Sequence, residues 1–315
     1  MITMPSSPAT TSLATTPERI LRRLEWRVIR RLDGLFQGDY RTLFYGTGID
    51  IAELREYQLD DDVRHIDWNV TARMDSPYVR QFVEDREITA WFLLDLTRSM
   101  TFGPANRSKE AILIDYVATL ARLLTRDGNR VGAILYDRGI EQVIPPHTGR
   151  NQVLLLTRQL LRATSGKSNN GAPKAKPGAP TNLATLLNAG LNAVKRRSVI
   201  FIISDFFSEP GWDRPLSQLS QRHELIAVRL WDPREVELPD AGLLMVEDVE
   251  TGEHLYVDTS DPVFRRRFAE AARQQEQQLN AEVKRLGIDL HAISTEEDLT
   301  GAIVRMATLR KRRRR

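Results

Sequence analysis

The chain has 315 residues, 41% hydrophobic and 28% charged, enough to bury a sizeable core in one large domain or two modest ones. It contains no cysteine, which excludes disulfides, thiolate metal centres and cysteine nucleophiles. Its 45 basic and 42 acidic residues leave a net charge of +3, but the last six residues, 310–315, are all basic, so the rest of the chain is slightly acidic.

Nucleic acid is therefore not the expected partner of the body, and the basic tail (309–315) is expected to be a solvated end that can also touch anionic surfaces. No apolar run approaches the ~20 residues that span a bilayer. The start, "MITMPSSPATTSLATT", lacks the charged and apolar regions of a signal peptide and the arginines of a transit peptide. Residues 1–16 are expected to be a disordered lead, and the protein to be cytoplasmic.

In chain order, Thr16 is placed to cap a helix that begins at Pro17, with Ile20, Leu24, Val28 and Leu32 forming one apolar stripe. Arginines flank that stripe, so the helix can lie on a membrane surface, although docking on its own domain is the commoner use. Residues 34–87 hold glycines, polar turns and short alternating stretches, which predict hairpins and loops in a small β-rich module spanning 17–86 with the first helix. Within it Asp61, Asp62, Arg64, His65, Asp67 and Trp68 form a dense polar cluster, read as structural, with Trp68 anchoring one module to the other.

From Glu87 the pattern changes to apolar strands alternating with amphipathic helices. "ITAWFLLD", "RVGAILYD", "SVIFIISD", "ELIAVRLWD" and "IDLHAIS" read as strands. "SKEAILIDYVATLARLLTR", "NQVLLLTRQLLRA", "NLATLLNAGLNAVKRR", the stretch from Asp261 to Gly287 and "EEDLTGAIVRMATLR" read as helices. This is the signature of an α/β domain over 87–308, a doubly wound, mostly parallel sheet with helices on both faces. Residues 164–180 are Gly, Pro, Ser, Asn and Lys and read as an inserted flexible loop. Its Gly-Lys-Ser is not a phosphate-binding loop, because Leu161 stands where the first glycine belongs.

In such a sheet ligands collect at the carboxyl ends of the strands. Asp95, Thr97 and Ser99 leave the first strand, Thr181 precedes a helix, and Asp205 ends a later strand. Alternate residues of an extended turn face one way, so Asp-x-Thr-x-Ser presents a carboxylate and two hydroxyls to one point. An all-oxygen set suits a hard cation, Mg²⁺ first, with Mn²⁺ or Ca²⁺ as alternatives. Taken one at a time, each residue is equally a helix cap.

Together they resemble the metal-ion-dependent adhesion site (MIDAS) of von Willebrand factor A domains, with Thr97 in place of the usual first serine. "GIDIAELREYQLDDDVRHIDWNVTAR", "VGAILYDRGI" and "ELPDAGLLMVEDVETGEHLYVD" resemble the bacterial domain-of-unknown-function family 58 (DUF58), over roughly residues 35–300. The resemblance implies a von Willebrand A-like fold. It also implies no catalysis, and a role as adaptor or co-chaperone to a MoxR-type AAA+ ATPase that assembles or activates a client protein.

Two other classes compete. A haloacid-dehalogenase-like phosphohydrolase needs a second acid where Thr97 stands, and a hydroxyl cannot serve as that acid–base group. A metal-dependent nucleic-acid-processing protein needs more carboxylates than Asp95 and Asp205.

Overall fold

The computed structural model describes residues 16–36, 54–58, 61–63, 66–74, 76–80, 88–104, 107–165, 181–247 and 254–313. The disordered lead expected over 1–16 falls almost wholly outside these residues, as do most of the inserted loop, Arg64 and His65. The basic tail does not begin at 309 as a solvated end: the last helix runs to Arg313, and Arg310 is buried and paired with Glu224.

The first helix begins as the capping residue predicts. The Thr16 hydroxyl accepts the Arg19 amide, and Pro17 opens α1 (Pro17–Leu24). A π-helical turn over Glu25–Ile29 joins it to α2 (Arg30–Phe36). Ile20, Leu24, Val28 and Leu32 are all buried, together with Leu21 and Ile29, within the main apolar core. The arginines stay on the rim, where Arg23 pairs with Asp115, Arg31 with Asp298 and Arg126 with Asp33. The stripe docks on the chain's own domain.

The small module keeps β1 (Leu54–Glu56) antiparallel to β2 (Tyr78–Arg80), with α3 (Trp68–Met74) between them. Arg55 pairs with Asp61, and Asp67 accepts the Val70 amide at the start of α3, so both acids have structural partners. Trp68 does not anchor the modules as expected: it is 69% exposed. It occupies the first position of α3, while Val79 is the buried residue of β2.

The large domain is built on a six-stranded sheet in the order β10-β7-β6-β3-β4-β5. Its strands are β3 (Thr89–Asp95), β4 (Arg130–Tyr136), β5 (Ile140–His147), β6 (Val199–Ser204), β7 (Glu224–Trp231) and β10 (Asp289–Ser294). All neighbours are parallel except β4 and β5. The edge strand β5 is not evident in the sequence, because only Ile144 is buried and Pro145 and Pro146 interrupt the pattern. Proline lacks an amide donor and belongs on such an edge. Where β4 and β5 shift register, Gly132 has no side chain to collide with the Ile144 carbonyl: an added Cβ would stand 2.9 Å from that oxygen.

The sheet is covered on both faces. Alternate residues of each strand, such as Phe92, Leu94, Phe201 and Ile203, pack against α1, α2, α4 (Lys109–Arg126), α5 (Gly149–Thr164) and α9 (Leu299–Arg313). The intervening set, including Leu93, Ile200 and Ile202, packs against α6 (Leu183–Ala193), α7 (Asp213–Arg222) and α8 (Pro262–Arg285). A two-stranded hairpin, β8 (Leu243–Glu247) with β9 (His254–Asp258), intervenes between β7 and α8. From β3 the chain runs outward to β4 and β5, then returns to β6 on the other side. The order therefore reverses beside β3, where doubly wound sheets open their crevice.

Candidate functional site

Strands β3 and β6 lie side by side and in parallel, so Asp95 and the Ser204–Asp205 pair emerge together at the reversal point. Asp95 is wholly buried. Its Oδ1 accepts the Thr97 amide at 3.0 Å and the Thr97 hydroxyl at 2.7 Å, while its Oδ2 accepts the Ser204 hydroxyl at 2.6 Å. The Ser204 oxygen in turn accepts the Phe206 amide at 2.9 Å, which stitches the two strand ends together.

The Thr97 and Ser99 hydroxyl oxygens lie 3.2 Å apart. Thr97 precedes a short 3₁₀ turn, Arg98–Thr101, but its side chain caps nothing there. Its hydroxyl gives its proton to Asp95, which leaves its oxygen lone pairs directed elsewhere.

Thr181 is not the cap of α6; Asn182 is, accepting the Thr185 amide. The Thr181 carbonyl accepts the Glu209 amide at 2.9 Å and the Ser208 hydroxyl at 3.0 Å, both from the segment after Asp205. The next amide, of Asn182, donates to the hydroxyl of Tyr136, the residue paired with Asp95 across β3 and β4. Thr181 is thus held at the same carboxyl edge by its backbone, and its residue is buried.

Asp205 is also buried, with its Oδ1 accepting the Phe207 amide at 3.1 Å. The turn behind it is forced: Phe206 has a φ of +62°, a left-handed conformation that costs a non-glycine residue about 1–2 kcal/mol. Its ring is held by edge-on packing against Trp212, which opposes relaxation of the turn.

Burial first, and then the negative charge of Asp205, push the Asp95 carboxyl up to about 6, against the pull of the bonds from Ser204 and Thr97. The two acids repel in this dry setting, a burden that the Lys109 ammonium on Asp205 eases in part and that a bound cation would relieve further. Among the described residues, no three His, Asp or Glu side chains cluster as a carboxylate-rich metal centre would arrange them. The fit to a cation rests instead on hydroxyl oxygens backed by two buried acids, a donor set suited to a hard ion.

Sequence reasoning missed Lys109. It is wholly buried at the first position of α4, with its ammonium 2.8 Å from Asp205 Oδ2 and 2.5 Å from Glu235 Oε1. Burial lowers its pKa, but the attraction of Asp205 and Glu235 outweighs that and raises it overall. The rings of Phe102 and Phe207 flank the ammonium at 6.0 and 5.6 Å. A signal was present: a lysine in the first turn opposes the helix dipole and needs a compensating partner.

Glu235 belongs to a capping box after β7, where its Oε2 accepts the Asp232 amide. Asp232 accepts the Thr295 hydroxyl at the end of β10. One polar chain therefore runs along the carboxyl edge, from Asp205 through Lys109, Glu235 and Asp232 to Thr295. The bonds of Asp95 with Ser204 lie beside it.

A family model described as "Protein of unknown function DUF58" matches residues 53–278. The uncharacterized protein Rv1480 of Mycobacterium tuberculosis is 36% identical over 292 residues, covering 93% of this chain and 89% of that protein. An uncharacterized protein of Mycobacterium avium is 34% identical over 169 residues, covering 54% of this chain and 94% of the relative.

Among solved structures, an aerotolerance-related membrane protein from Bacteroides fragilis aligns at 12% identity with a TM-score of 0.42, covering 71% of this chain and 99% of that one. BatB from Bacteroides thetaiotaomicron aligns at 12% identity with a TM-score of 0.41, covering 70% and 99%. Likenesses at that level carry no argument about the site. Among the described residues no helix is long and apolar enough to cross a membrane.

Proposed function

The chain belongs to the DUF58 family, and on that premise and the arrangement around Asp95 we propose that it is a non-catalytic, metal-dependent protein-interaction module of von Willebrand factor A type. Asp95, Thr97, Ser99, Thr181 and Asp205 would hold one divalent cation, Mg²⁺ before Mn²⁺ or Ca²⁺. When bound, the ion supplies an electrophilic centre that accepts a carboxylate from another protein. The resemblance read from the sequence makes a MoxR-type AAA+ ATPase the proposed donor of that acid. The chain would then act as its adaptor or co-chaperone toward a further protein.

The observation that carries this reading is the pair of hydroxyls, Thr97 and Ser99, lying 3.2 Å apart beside the buried Asp95. Asp95 accepts the Thr97 proton and so polarises an oxygen that is suited to a cation. The same contact disfavours phosphohydrolase chemistry, since the group two residues beyond Asp95 is a threonine committed to Asp95 and not an acid that shuttles protons.

The test is a pull-down from the native cell extract with Mg²⁺ or with chelator, comparing the unaltered chain with Asp95→Ala. Recovery of an AAA+ ATPase only with metal and only by the unaltered chain supports the adaptor. Equal recovery in all arms contradicts it.

A further inference from the structure

We infer that Lys109 is a resident cation that orients Asp205 and offsets its charge, and so sets the affinity and ion preference of the site, an inference that rests on the metal-binding reading above. Its ammonium takes Asp205 Oδ2 at 2.8 Å, and the Phe207 amide takes Oδ1, so this carboxylate is oriented and its charge offset by an internal cation, whereas Asp95 has only amide and hydroxyl donors. Nothing about the lysine is adventitious. Ser108 caps α4 and fixes its first turn, Glu235 grips the ammonium from the opposite side, and the side chain is wholly buried.

An ion beside Asp95 therefore meets one carboxylate that is bonded to hydroxyls and another that is neutralised by an internal ammonium. Binding is correspondingly weak until a further acid arrives from outside. Removing the ammonium would free Asp205 as a hard anionic ligand. Such a change favours Ca²⁺ over Mg²⁺, because Ca²⁺ accepts more carboxylate oxygens in a flexible geometry whereas Mg²⁺ retains water. Lys109 is thus a positioning residue: it acts on the ion through Asp205.

The test uses the full chain carrying both Lys109→Met and Glu235→Gln, which removes one ammonium and one carboxylate together and leaves the net charge of the cluster unchanged. Titration calorimetry with MgCl₂ and with CaCl₂, alongside thermal melts in chelator, reads affinity and folding separately. The expected result is tighter binding of both ions, by about 10- to 100-fold, the size of effect that residues orienting metal ligands usually have, with the larger gain for Ca²⁺.

A folded double variant that binds both ions as the unaltered chain does, or more weakly, overturns the role of Lys109 and leaves the metal site standing. Failure of both proteins to bind either ion overturns the metal reading itself, and this inference with it. If the double variant does not fold, Glu235→Gln alone serves. Lys109 then has only Asp205 as an ionic partner, and both ions should bind several-fold more weakly; unchanged affinity overturns the role.

Discussion

Replacing Asp95 with asparagine should stabilise the metal-free protein at neutral pH relative to its effect in acid. The buried carboxyl is pushed up to about 6, chiefly by desolvation and then by Asp205, from an ordinary value of 3.8. The folded state therefore holds the proton more tightly than the unfolded state does. For a group raised in this way, the stability it contributes is full below the unfolded value. It is lost as pH rises from about 3.8 through about 6, to a limit of about 3 kcal/mol at 1.36 kcal/mol per unit.

Between pH 5 and pH 7.5 the linkage relation gives a loss of about 1.4 kcal/mol from this group. Asparagine keeps the shape and has nothing to ionise. An amide oxygen can accept from Thr97 and the amide nitrogen can donate to Ser204. Urea denaturation of both proteins in chelator at the two pH values cancels the titrating groups that do not interact with Asp95. The difference in stability, variant minus unaltered chain, should rise by about 1 kcal/mol or more on going to pH 7.5. A difference that stays flat or falls would refute the claim that burial and Asp205 together raise the Asp95 carboxyl against the bonds from Thr97 and Ser204.

Ser204→Ala removes a buried hydroxyl that donates to the Asp95 carboxylate and accepts the Phe206 amide, and should cost about 2–3 kcal/mol by urea denaturation at pH 7.5. A loss under 0.5 kcal/mol would mean that the strand ends are not tied through it. Leu32→Ala, at a wholly buried position of α2, should cost about 2–5 kcal/mol, because the helix is part of the main core. A neutral result would show that α1 and α2 are dispensable to the domain.

The parallel strands were legible in the sequence because burial on both faces makes Trp91–Leu94 and Val199–Ile203 continuous apolar runs. The edge strand β5 was not, since water on one side and Pro145-Pro146 erase the period. Within the site, Asp95, Thr97 and Ser99 were readable because their spacing is local and the turn keeps them on one side. Lys109 and Glu235 were not, because their partners lie 96 and 126 residues away and only the folded crossovers bring them together. Trp68 misled for a related reason: an aromatic side chain in a polar stretch reads as an anchor, yet its position in α3 leaves it exposed.

The central claim, that one divalent ion is held where β3 and β6 end, is tested most directly by a crystal structure grown or soaked with Mn²⁺ and phased to show the anomalous signal of the metal. The expected result is a single strong peak within bonding distance of the Thr97 and Ser99 hydroxyls, with the Lys109 ammonium still on Asp205. A well-ordered site with no peak there, or a peak elsewhere on the protein only, would contradict it.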